Sequence, residues 1–226
     1  MRLSTKECIR WLSGCLIFFL ASCRDAPAYQ SIVVTHEDSL LKEQVIQRAW
    51  DSLAAIRSIL KSGDLITRTG NDFTSETFRK MNQHDQTYSH CGIVSIEGDS
   101  AFVYHSLGGE WNPDQKIRRD LLSVFAEPYN NKGIGLYSFH VPEPVKKDII
   151  DVTQNLYKKG VRFDLRFDLE TDDRMYCAEF VSKCFNRGSH GMLIFEPSRI
   201  GKTAFYGVDN IYLHPLCRPV RQLVYK

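Results

Sequence analysis

The chain has 226 residues, of which 43% are hydrophobic, 25% charged and 12% aromatic, with a formal net charge of +2. This composition excludes a collagen-like, low-complexity or wholly disordered chain, and the length is ample for a buried core. Seven cysteines are too sparse for a disulfide scaffold.

Residues 1–22 carry Arg2, Lys6 and Arg10, then the apolar run Leu16-Ile17-Phe18-Phe19-Leu20-Ala21. That run is too short to span a bilayer, which takes about 20 residues. A basic start, a short apolar run and small residues after it describe a secretory signal. Leu20-Ala21-Ser22-Cys23 resembles a bacterial lipobox, whose cysteine is lipidated and becomes the mature N-terminus. Leu12-Ser13-Gly14-Cys15 also fits the pattern, but almost no apolar run precedes it. The alternatives are an ordinary cleaved signal or a buried apolar stretch. The reading adopted is a signal peptide over 1–22, a tether over 23–37 anchored to a membrane through lipidated Cys23, and a domain over 38–226. An exported, lipid-anchored envelope protein is expected. Beyond residue 22, basic and acidic residues balance at 26 each. No basic patch is implied, and nothing points to nucleic acid as a partner.

Helical spacing of Leu41, Val45, Ile46, Ala49, Trp50, Leu53, Ile56 and Leu60 predicts a helix from Asp38 to Leu60, stopped by Gly63. Asp64–Thr67 reads as a short strand, and Thr74–Met81 as a short helix capped by Thr74. Ser89–Ile96 and Ala101–Ser106 read as strands joined by a tight turn. A glycine-containing loop follows, then a helix over Ile117–Ala126 and a strand over Gly135–Val141. Pro144 opens a helix that ends at Lys159-Gly160. Residues 161–170 read as a loop, and Tyr176–Phe185 as a helix ending at Arg187-Gly188. Asn210–Leu213 and Val220–Tyr225 read as terminal strands. The fold class is α+β, with helices packed on a mostly antiparallel sheet.

Three residues stand out for chemistry: His90, His105 and Cys177. A two-residue Gly98-Asp99 turn pairs Glu97 with Ser100, Val94 with Val103 and Gly92 with His105. His90, Gly92 and Val94 then share one face, and His105 lies diagonal to His90 on it. Gly92 leaves space between the rings, so an imidazole–imidazole hydrogen bond is feasible. A one-residue register slip would separate them. Cys177 starts a helix, where the dipole and free N–H groups favour a thiolate and can hold an oxyanion. On these features alone, Cys177 is either a nucleophile or a buried core cysteine. A metal site is the rival use of these side chains, but no short-spaced ligand pair supports one.

Gly63-Asp64-Leu65-Ile66, Ser89-His90-Cys91-Gly92-Ile93-Val94 and Tyr176-Cys177-Ala178-Glu179-Phe180-Val181, in that order, resemble the motifs of the YiiX/YaeF-like family. These are circularly permuted relatives of the NlpC-type, papain-like cysteine hydrolases. The resemblance covers about residues 58–190. It implies a permuted papain-like fold, with Cys177 as nucleophile, His90 as base and His105 orienting the base. It implies no metal or organic cofactor. Glu179 matches the family pattern, but lies about 200° around the helix from Cys177 and is either structural or substrate-facing. Tyr88, Asp64 and Trp111 are further candidates for contact with substrate, each with a packing or turn role as the alternative. Cys91 points to the face opposite His90 and reads as core.

The expected activity is thiol-dependent cleavage of an amide bond in a cell-envelope substrate such as cell-wall peptide. Two alternatives compete. One is an acyl hydrolase or acyltransferase on lipid or N-acyl substrates. The other is a binding module that uses the same groove without turnover.

Overall fold

The computed structural model describes residues 36–109 and 112–225. Cys23 and Trp111, and the signal and lipidation readings, lie outside the described residues.

The centre is a six-stranded sheet in which every neighbouring pair runs antiparallel. Its strands in chain order are β1 (Leu65–Gly70), β2 (His90–Glu97), β3 (Ser100–His105), β4 (Arg118–Leu121), β5 (Asn131–Phe139) and β8 (Cys217–Val224). In space they run β4-β3-β2-β1-β5-β8. A separate hairpin, β6 (Ser198–Ile200) and β7 (Thr203–Phe205), was not anticipated from the sequence. The helices are α1 (His36–Ile56), α2 (Phe73–Met81), α3 (Leu122–Phe125), α4 (Glu143–Lys158), α5 (Cys177–Gly188) and α6 (Val208–Tyr212).

Alternation along the strands divides the core into two layers. On one face Ile66, Val94, Val103 and Leu136 pack with Ala49, Leu53, Ile56 and Leu60, from α1 and the turn after it, and with Phe125. On the other, Leu65, Cys91, Ile93, Tyr104 and Tyr137 pack with Ile149 of α4 and with Phe180, Val181 and Cys184 of α5. Both faces are apolar because both are covered, so β2 is buried along six consecutive residues. The β2–β3 turn holds the expected register, Glu97 opposite Ser100 and Val94 opposite Val103.

Three local expectations are corrected. The segment 117–126 is not one helix. Arg118–Leu121 pairs with β3 instead, Arg119 lying 3.3 Å over the Phe102 ring and bonded to Glu97, and only Leu122–Phe125 turns helical. Asn210–Leu213 is not a strand. Gly207 donates to Asn210 Oδ1 at 2.6 Å and Val208 to Asn82 Oδ1 at 2.9 Å, which satisfies the first N–H groups of α6. Helix α2 is capped by Asp72, not Thr74, since Asp72 Oδ1 accepts from Ser75 N–H at 2.9 Å.

Helices α4 and α5 cross closely where α5 ends. A β-carbon at Gly188 would lie 2.3 Å from Ile149 Cα and 2.6 Å from Ile149 N, both rigid backbone atoms. Gly188→Ala therefore forces the helices apart. The expected cost is about 1–3 kcal/mol, read as a lower urea midpoint with an unchanged slope. An unchanged midpoint would show that this crossing yields freely.

Candidate active site

Four strands and one helix terminus bring the site together. Strand β1 carries Arg68, β2 begins at His90, β3 ends at His105, β4 carries Asp120, and α5 begins at Cys177. His90 Nε2 and His105 Nδ1 are 2.9 Å apart, with the rings near perpendicular at 86°. His105 Nε2 is 3.0 Å from Asp120 Oδ2. Arg118 grips the same carboxylate with two bonds of 2.8 Å, one to each oxygen. The line Arg118–Asp120–His105–His90 is thus continuous. Its cross-strand geometry needs glycine at position 92, where a β-carbon would meet Val103 Cγ1 at 2.5 Å and His105 Cβ at 3.1 Å.

Asp120 fixes the proton positions along this line. An ionised carboxylate only accepts, so His105 carries its proton on Nε2 and leaves Nδ1 bare. His105 Nδ1 then accepts from Nε2–H of His90. The remaining nitrogen of His90, Nδ1, is left bare as an acceptor, and the Cys177 thiol is near enough to raise the His90 ring's proton affinity against burial.

Burial shapes the acidities. Both imidazoles are buried, which pulls each down to about 4 and keeps them neutral. Burial opposes ionisation of Asp120, but its bonds from His105 and Arg118 hold it well below the usual carboxylate range. Whereas Cys91, Cys184 and Cys217, the other cysteines among the described residues, are buried, Cys177 is partly exposed. Its thiol is held well below the ordinary value. The largest cause is a hydrogen bond from Cys91; the charge and hydrogen bond of His90 and the N–H of Ala178 add to it against burial. The Cys91 thiol is pushed far up by burial and remains a donor.

The approach to Cys177 is pinned from β3. Ser106, next to His105, donates to Met175 O at 2.6 Å. Arg162 donates to Asp173 O at 3.1 Å and accepts from Met175 N–H at 2.8 Å. Tyr176 OH accepts from Tyr206 N–H at 2.6 Å. These bonds set where α5 begins, and so where the sulfur sits.

The other candidates fall as follows. Glu179 is fully buried and turns back on its own helix. It accepts from Tyr176 N–H at 3.3 Å and lies 2.8 Å from Lys183 Nζ. Tyr88 is buried in a cluster with Tyr137 and Tyr212 and accepts from Tyr137 OH at 3.2 Å. Asp64 lies just before β1, at the strand end away from Arg68 and His90, and accepts from Lys61 N–H at 2.9 Å. Cys91 is buried on the α5 side of the sheet, as expected, and reaches Cys177 there. Sequence reasoning missed Asp120, Arg118 and Arg68. Arg118, Arg119 and Asp120 are three consecutive charged residues, so no alternation signalled the strand.

Acid sensitivity follows from the two neutral histidines. Their folded values lie below the ordinary 6.5, so the unfolded chain takes up protons first as pH falls. Their contribution to stability is full above about pH 6.5 and is lost as pH drops through about 4. Glu179, which burial pushes up to about 7, runs the opposite way: its contribution is present at low pH and lost as pH rises. A His90→Gln/His105→Gln double variant removes the first term and keeps the second. Between pH 7 and 4 the wild-type melting temperature should fall roughly 5–10 °C further than that of the double variant. Parallel melting curves across that range would contradict the assignment.

No protein-family model and no curated protein matches the chain. A solved structure does: the crystal structure of metalloprotein yiiX from Escherichia coli O157:H7, DUF1105, with a TM-score of 0.59. The match has 16% sequence identity and covers 73% of this chain and 98% of that one. The architecture of this chain is therefore YiiX-like.

Proposed function

We propose that the protein is a thiol hydrolase with a permuted papain-like architecture, which cleaves an amide bond in a cell-envelope substrate. The observation that supports it most is the hydrogen-bonded line from Asp120 through His105 to His90, with the Cys177 thiol close enough to shift the His90 ring's acidity. A structural histidine needs one partner. Here two buried imidazoles are bonded in series, which leaves one nitrogen bare in a site that also holds a thiol at a helix N-terminus.

The reaction follows from that arrangement. His90 Nδ1 takes the proton of Cys177, and the thiolate attacks the acyl carbon. The carbonyl oxygen becomes negative beside the N–H groups at the start of α5, Ala178 among them. The C–N bond breaks as His90 returns its proton to the leaving amine. Water, deprotonated by His90, then attacks the thioester and releases the acid and the Cys177 thiol. His105 and Asp120 keep His90 in the tautomer that accepts at Nδ1, and Asp120 offsets the charge that His90 gains.

The solved neighbour is named a metalloprotein. The donors here do not fit that use: His90 Nε2 and His105 Nδ1 face each other at 2.9 Å, and among the described residues no group of three His, Cys, Asp or Glu is placed to hold a metal ion. The proposal also keeps the membrane tether through Cys23, which brings the site to envelope substrates.

Alkylation by iodoacetamide tests the thiol directly. Cys177 should label faster than Cys91, Cys184 and Cys217, which are buried, the last two with thiols pushed up to about 12. His90→Ala should slow Cys177 labelling by about tenfold or more. Cys177→Ala should abolish hydrolysis across a panel of cell-wall peptides and acyl amides. Uniform labelling of all four cysteines would remove the basis for the reading.

A further inference from the structure

Arg68 stands on β1 directly opposite His90 and shares its face of the sheet. Its guanidinium lies over the Phe125 ring at 4.8 Å, and Nη1 donates to Phe125 O at 2.7 Å. Phe125 also packs against both imidazoles, at centroid distances of 5.7 Å from His90 and 5.0 Å from His105. The cation is therefore fixed beside the relay.

A guanidinium has five N–H donors. Among the described residues this one makes no second hydrogen bond, and no carboxylate lies within the 4.0 Å of an ion pair. The nearby acids are committed elsewhere. Asp120 is held by Arg118 and His105. Asp72 caps α2 through Ser75, and Glu127 accepts from the N–H groups of Tyr129 and Asn130. Asp120 is the strongest opposite charge acting on this half-buried cation but does not touch it, and a planar fork of donors matches a carboxylate in two bonds. Hydrolysis by Cys177 and His90 gives this fork no role of its own. Its charge is nonetheless felt by Cys177 and both histidines, and its place opposite His90 puts an anion bound there beside the imidazoles.

We propose that Arg68 binds a carboxylate of the substrate, so that the acyl compound carries a negative charge close to the carbonyl that Cys177 attacks. The inference rests on Cys177 being the nucleophile. It narrows the substrate class to anionic acyl compounds, such as a peptide with a free carboxylate beside the cleaved bond.

Two alkylating agents of near-equal size read the cation on the full chain. Iodoacetate and iodoacetamide both transfer a two-carbon group to sulfur with loss of iodide; one carries a carboxylate and the other a neutral amide. The iodoacetate-to-iodoacetamide rate ratio at Cys177 should exceed that at N-acetylcysteine by roughly tenfold. It should drop to near the free-thiol ratio in Arg68→Gln, stay partly raised in Arg68→Lys, and fall with salt in the wild type. Taking a ratio cancels changes in the thiol itself. A wild-type ratio equal to that of the free thiol overturns the proposal, as does an unchanged ratio in Arg68→Gln. Should Arg68→Gln not fold, judged by its melting curve, the wild-type ratio and Arg68→Lys decide. Failure of the hydrolase reading looks different: iodoacetamide alone would then label Cys177 no faster than the other cysteines.

Discussion

The hydrogen bond between His90 and His105 is the contact on which the rest of the site depends. It spans two strands, so it exists in one register only, and that register is set by the two-residue turn after Glu97. It requires Gly92, because any side chain there would collide with β3. It also demands a third strand, since a buried imidazole that accepts at one nitrogen must donate from the other, and β4 supplies Asp120 for that purpose. The proton order along the line is thus a property of the sheet.

The helical side of the site depends on different physics. Cys177 belongs to the layer of α4, α5 and Cys91, whereas the imidazoles belong to the opposite layer with Phe125. The two meet because β2 begins at His90 and α5 begins at Cys177, so both termini lie at one rim of the sheet. The bond from Ser106 to Met175 O ties the rims together within one residue of His105 and two of Cys177. The YiiX-like architecture accounts for this meeting of layers, but its likeness extends to the fold alone.

Much of this was legible in the sequence, for local reasons. The Gly98-Asp99 turn fixes the pairing of Glu97 with Ser100, and alternation then puts both histidines on one face. The start of α5 at Cys177 also followed from local pattern. What was hidden depends on contacts distant in sequence. Arg118 to Leu121 has the polarity of a helix surface and becomes a strand only because β3 offers an open edge. Asp120 was lost with that misreading. Arg68 lies one residue past the predicted end of its strand, and its pairing with His90 needed the β1–β2 register. Cys91 was placed correctly on the face opposite His90, yet its influence on the Cys177 thiol depends on where α5 docks.

Chain order carries a consequence for biosynthesis. Strands β2, β3 and β4 all precede α5, so a growing chain contains both histidines and Asp120 before Cys177 emerges. Until α5 docks on β2, Cys177 has neither the Cys91 donor nor His90 beside it, and its acidity is that of an ordinary cysteine. The acidity of this sulfur is therefore set by the docking of α5. The lowered value at Cys177 thus marks a chain in which α5 and β2 have met.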